Sequence, residues 1–179
     1  MKSLLEVMLE EVKTFPVNGT SLEPINNKSK NVFIVHGHDI AMRKKVEDYL
    51  KELEFIPIIL GHEPSQGDTL IEKLTRYAEN ISFAIILLSP DDVARSKKES
   101  EKQLKFRARQ NVVLELGFFM ANLGRSKVAA LFKQDQAFEM PSDFIGVAFI
   151  PFDTSGKWRY ELIKELRAAG LSADANKLL

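Results

Sequence analysis

Short apolar runs alternate with helical segments from Asn31 onward, and this alternation restricts the chain more than any other feature. The runs are residues 32–35, 55–60, 83–88, 128–132 and 147–152. Between them, 40–53, 69–80, 111–123 and 157–169 carry helical periodicity or helix-forming composition. A strand covered by helices on both faces has no wet side, so it should read as an unbroken apolar run; Phe83-Ala-Ile-Ile-Leu-Leu88 does. The expected fold is α/β, a doubly wound three-layer sandwich around a five-stranded parallel sheet.

Two prolines select the strand order, because proline cannot donate to a ladder and is tolerated mainly at sheet edges and strand ends. Pro57 falls inside the second strand and Pro151 near the end of the fifth. The flavodoxin-like order 2-1-3-4-5 puts both strands at edges, whereas a Rossmann order would bury strand two. The chosen order has its switch point between strands one and three. Open α/β sheets bind ligands there, beyond the carboxyl ends of the strands.

Composition removes several function classes. Twenty-five basic residues balance 25 acidic ones, so no global field draws the chain to nucleic acid or to a membrane surface. The absence of cysteine rules out disulfides, thiolate nucleophiles and cysteine-ligated metals, and fits a reducing compartment. Apolar runs stay far below the roughly 18 residues needed to cross a bilayer, and no signal peptide opens the chain, so a cytoplasmic location is expected. Residues 1–14 place Leu4, Leu5, Met8, Leu9 and Val12 at helical spacing and read as an amphipathic helix. Residues 15–30, rich in Pro, Asn and Ser, read as a linker to a domain over 31–179.

Polar loops fall where the crevice is expected: His36-Gly37-His38-Asp39 beyond strand one and Ser89-Pro90-Asp91-Asp92 beyond strand three. Glu115 lies on a helix whose other residues include Val112, Leu114, Leu116, Phe118, Phe119 and Met120. A carboxylate there should be partly desolvated, with raised proton affinity. The alternatives are that Glu115 occupies an exposed stripe or pairs with Arg107 or Arg109. No G-x-x-x-x-G-K-[ST], G-x-G-x-x-G or G-x-S-x-G motif is present, which removes P-loop ATPases, Rossmann dehydrogenases and serine hydrolases of the elbow type. The His36-x-His38 pair beside Asp39 is too unspecific for a metal site, so these residues are read as hydrogen-bonding loop residues.

The stretch 95–109 holds seven Lys or Arg against Glu99 and Glu101. It is either a solvated face or a means of steering a diphosphate, with Arg107 or Arg109 near the helix start and Asn111 as its N-cap. The loop Gly61 to Thr69 is either a plain connection or a contact loop, and Asp68 or Thr69 can cap the helix after it.

Together, Val32-Phe-Ile-Val-His-Gly-His-Asp39, Leu60-Gly-His-Glu-Pro64, Ile71-Glu-Lys73, Phe83-Ala-Ile-Ile-Leu-Leu-Ser-Pro-Asp-Asp92, Arg107-Ala-Arg-Gln-Asn-Val-Val-Leu-Glu-Leu-Gly117, Leu123-Gly-Arg125 and Pro141-Ser-Asp143 resemble the bacterial TIR-like family once labelled predicted nucleotide-binding proteins. That family includes TIR effector domains of cyclic-nucleotide-triggered anti-phage systems. The resemblance implies a flavodoxin-like (TIR) fold and hydrolysis of NAD+, which is substrate and not cofactor, with Glu115 as the catalytic carboxylate. His36, Gly37, His38, Asp39, Ser89, Asp91, Arg109 and Asn111 are the expected substrate-binding residues, with Asp91 and the 36–39 loop toward the ribose and nicotinamide and Arg109 toward the phosphates. One departure is His38, where the family's pattern leads to an expectation of arginine; an imidazole there makes any phosphate contact weaker or pH-dependent.

Family resemblance also implies activation by self-association through the Gly61 to Thr69 loop. The thirty residues before the TIR-like region leave no room for a ligand-sensing domain, so the trigger is expected to act through a sensor chain or a further part of a longer protein. Three functions stay open at this level: an NAD+-cleaving enzyme, a noncatalytic TIR-like interaction module, and a nucleotide-binding or nucleoside-transferring protein.

Overall fold

The computed structural model describes residues 29–60, 69–98, 100, 104–134, 138–141 and 146–174. The helix and linker expected over 1–30 lie outside these residues except for Ser29 and Lys30, and the 61–69 loop lies outside them except for Thr69. Ser29 and Lys30 are tied to the domain: Ser82 Oγ donates to Ser29 O over 2.8 Å, and Ile56 N donates to Lys30 O over 2.8 Å.

The elements follow the expected alternation. They are β1 (Asn31–Val35), α1 (Ile40–Glu52), β2 (Ile56–Ile59), α2 (Leu70–Ala78), β3 (Phe83–Leu88), β4 (Asp92–Ala94), β5 (Lys105–Arg107), α3 (Gln110–Leu123), β6 (Val128–Phe132), β7 (Ala148–Pro151) and α4 (Lys157–Ala168), with a 3-10 turn at Arg125–Lys127. β2, β1, β3, β6 and β7 form one parallel sheet in that order. With the two short strands β4 and β5 set aside, this is the flavodoxin-like order 2-1-3-4-5.

Both prolines sit where an absent N–H costs no ladder bond. Ile56 N points inward to Lys30 O, so alternation turns the Pro57 nitrogen to the outer edge of β2. Pro151 is the last residue of the opposite edge strand. Every residue of the central strand β3 is buried, and at about 1.5–3 kcal/mol for each large apolar side chain, this strand anchors the core.

The sheet separates two apolar clusters. On one side Met42, Val46, Tyr49 and Leu50 of α1 meet Trp158, Leu162 and Leu166 of α4. On the other, Leu74 and Ala78 of α2 join Val112, Leu116 and Phe119 of α3.

The long basic connection is more structured than its composition suggests. Its two ends pair as an antiparallel ladder, Asp92 opposite Arg107 and Val93 opposite Phe106. Nothing in the charge pattern signals a strand, because the large apolar residues in and beside the run, Val93, Leu104 and Phe106, are exposed ones.

Candidate functional site

The carboxyl ends of β1 and β3 are adjacent, and their two polar loops meet there. Asp91 joins them. Its Oδ2 accepts from the His38 backbone N–H at 3.1 Å and from the Ser89 hydroxyl at 2.9 Å. Ser89 is buried at the end of β3, and its carbonyl accepts from Asp91 N at 2.8 Å, so the turn folds back on itself. Gly37 lies against this carboxylate. His36 Nδ1 faces the Gly37 carbonyl at 2.7 Å and therefore donates to it.

Asp39 serves the next element. It N-caps α1, its Oδ1 accepting from Met42 N at 2.9 Å, and it pairs with Lys133 beyond β6. Burial pushes this carboxyl up, but the hydrogen bonds from Lys133 and Met42 and the Lys133 charge outweigh it and hold Asp39 below its usual range. Asp39 is thus committed to helix capping and an ion pair.

Arg109 closes the crevice from the other side. It is the N-cap residue of α3 (φ −56°, ψ 140°), and its guanidinium contacts His38 Nε2. Asn111 was expected in the capping role and does not have it. The helix begins at Gln110, so Asn111 is already inside the first turn and is exposed, and α3 has no side-chain cap at all. The earlier start follows from Ala108, whose burial in the core fixes the chain one residue before Arg109.

Glu115 lies six residues beyond Arg109, about 9 Å along the axis at 1.5 Å per residue. It is 9% exposed. Val112 and Leu116, three before and one after it, belong to the same apolar cluster as Val35 and Leu88, the last residues of β1 and β3. The exposed residues of α3 are instead Gln110, Asn111, Leu114, Ala121 and Asn122, so the exposed-stripe alternative fails. The ion-pair alternative fails as well. Arg107 pairs with Glu139 at 3.0 Å, Arg109 meets His38, and Glu115 has no hydrogen-bond or ion-pair partner among the described residues. Burial alone pushes its carboxyl up to about 7.

Among the cavities of the described residues, one of about 450 Å³ lies between α1 and the ends of β6 and β7, lined by Met42, Lys45, Lys133, Phe152 and Asp153. Another of about 320 Å³ lies near the start of α3, lined by Arg107, Val113, Glu139 and Met140. Neither is lined by Glu115. Among the described residues no helix is long and apolar enough to cross a membrane. Sequence reasoning missed the Asp91 linkage and the Arg109–His38 contact, since both join residues more than fifty positions apart.

The sheet order and the crevice define a flavodoxin-like α/β domain of the TIR type. Comparison with known proteins narrows this further. The family model described as CAP12/Pycsar effector protein, TIR domain, matches residues 31–154. YuaY of Escherichia coli K12 is 37% identical over 99% of this chain and 58% of its own length. The protein tirC of Dictyostelium discoideum is 40% identical over 71% of this chain and 66% of its own. The Pycsar effector protein BcPycTIR of Burkholderia cepacia is 30% identical over 46% of this chain and 26% of its own length. The chain thus spans between about a quarter and two thirds of these relatives. It belongs to the TIR-domain family of CAP12 and Pycsar effector proteins.

Proposed function

We propose that this domain is an NAD+ hydrolase, an anti-phage effector module that cleaves the bond between nicotinamide and ribose to release nicotinamide and ADP-ribose or a cyclic variant of it. The observation that carries the reading is Glu115, a buried carboxyl without a partner among the described residues, on the helix that starts at the crevice mouth. A protein that only needs a stable helix has no use for such a group, because desolvating it costs free energy and no charge offsets the cost.

The reaction makes use of it. As the carbon–nitrogen bond breaks, the ribose gains oxocarbenium character and the pyridine leaves neutral, so the transition state is stabilised by a carboxylate and needs no acid at the leaving group. In a water-poor setting that stabilisation is strong. Water then adds to the anomeric carbon, and its proton has the Glu115 carboxylate as acceptor. Arg109, at the mouth, is the residue for the diphosphate. Self-association through the Gly61 to Thr69 loop and triggering by a cyclic nucleotide through a sensor belong to the same reading, and the Pycsar effector proteins among the relatives support its effector role.

Concentrated protein incubated with NAD+ is expected to release nicotinamide, and Glu115→Gln to lose at least about a hundredfold of that rate with the fold intact. Undiminished release in the variant removes Glu115 from the mechanism. Binding of NAD+ without any release leaves a nucleotide-binding module.

A further inference from the structure

Gly37 has an ordinary backbone conformation, absent from the positive-φ residues, so glycine is not there for a turn. Space is the reason. A Cβ on Gly37 would stand 1.6 Å from Asp91 Oδ2 and 2.8 Å from Asp91 Cγ, well inside any van der Waals contact. The missing side chain of residue 37 is therefore the room in which the Asp91 carboxylate sits. Placed there, the single oxygen Oδ2 accepts from His38 N–H and Ser89 Oγ–H, and so joins the loop after β1 to the end of β3. His38 in turn meets Arg109 through Nε2. A guanidinium only donates, so Nε2 is the accepting atom of this contact.

We propose that Asp91 is a positioning residue. In the space left by Gly37 it clamps the His36 to Asp39 loop to β3, and through His38 it sets where Arg109 presents its guanidinium to the diphosphate of a dinucleotide. The last step rests on the reading of the domain as an NAD+ hydrolase; the clamp itself does not. Because Oδ2 is occupied by two protein donors, any contact of Asp91 with the ribose or nicotinamide falls to Oδ1.

The geometry makes Gly37→Ala a selective probe. The atom in the way is the end of an aspartate side chain, which can rotate out, so the variant is expected to fold with the carboxylate expelled. Hydrogen exchange of the His38 amide, read without any nucleotide, is expected to speed up about tenfold or more in both Gly37→Ala and Asp91→Ala, the scale of one lost hydrogen bond to a charged acceptor. In the Asp91→Ala background, Gly37→Ala should add nothing, since its Cβ then has room. Asp91→Asn, which keeps an acceptor oxygen, should restore most of the protection. With NAD+, Asp91→Ala should raise KM about tenfold while kcat changes far less, and Asp91→Asn should recover most of kcat/KM.

Unchanged His38 exchange in Asp91→Ala overturns the clamp. So does an Asp91→Asn variant that keeps the amide protected yet has the KM of Asp91→Ala, because that pattern means a direct ionic contact with substrate. A domain that cleaves no NAD+ sinks the hydrolase reading alone, while the exchange data still decide the clamp.

Discussion

The helices α2 and α3 lie on the same side of the sheet and contribute to the same apolar cluster, yet they are built on opposite terms. α2 has one buried stripe, Leu74 and Ala78, and its charges face water. It also has a complete capping box, with Thr69 Oγ1 accepting from Glu72 N while the Glu72 carboxylate accepts from Thr69 N at 2.7 Å. α3 has no side-chain cap, and it buries a carboxyl among Val112, Leu116 and Phe119. The contrast separates a helix whose sequence serves stability from one that gives stability up at a single position.

The two glutamates should consequently respond to pH in opposite directions. Glu72 is held below its ordinary value, first by the Thr69 backbone N–H and then by the Thr69 hydroxyl. Its contribution to stability is present above the unfolded value of 4.5 and fades as pH falls through the lower, folded one. Glu115 is raised to about 7 from 4.5. As pH rises the unfolded chain ionises first, so stability falls between these two values and stays lower above them.

The largest expected effect is the loss of nicotinamide release in Glu115→Gln, described above. If activity survives, the contrast between the helices loses its functional meaning. Next comes Phe119→Ala on the buried side of α3: Phe119 is fully buried with its ring 4.8 Å from that of Phe33, and its loss should cost about 3–5 kcal/mol in urea unfolding. A much smaller cost would mean that α3 is not held by its apolar face.

Third, Glu115→Gln should raise stability at pH 8 by up to about 3–4 kcal/mol, the shift from 4.5 to about 7 converted at about 1.4 kcal/mol per unit. The gain should all but disappear by pH 4, where the carboxyl is mostly protonated in both the folded and the unfolded chain. On the same basis kcat/KM for NAD+ should rise with pH through a midpoint near 7, since the ionised form does the work. The smallest effect is Thr69→Ala, which removes the cap of α2 and should lower stability by about 1 kcal/mol. No measurable loss in urea unfolding would mean that the Thr69 cap does not hold the start of α2.

Much of the scaffold was readable in advance. β3 was bounded correctly because six successive buried residues leave a continuous apolar run; α2, expected over 69–80 with Asp68 or Thr69 as its cap, spans Leu70–Ala78 and is capped by Thr69. Pro57 and Pro151 identified the edge strands, since the cost of a missing donor is a local property of proline. The β4–β5 ladder was not readable, because its exposed Val93 and Phe106 alternate with charges as any solvated segment does. Asn111 misled for a related reason: a good capping residue announces a helix start only where the preceding chain is free to supply it, and here buried Ala108 moved the start forward.

Sequence by itself determined the layers, the strand order and the presence of a carboxyl on an apolar helix, since each follows from periodicity or from the chemistry of one residue. Tertiary structure alone decided that Glu115 is buried without a partner among the described residues, that Arg107 goes to Glu139 and Arg109 to His38, and that Gly37 makes room for Asp91. Which cation meets which acceptor, and which residue must be small, depends on side chains brought together across three strands. No local pattern encodes that, because the interaction comes into being only when the loops after β1 and β3 and the start of α3 converge.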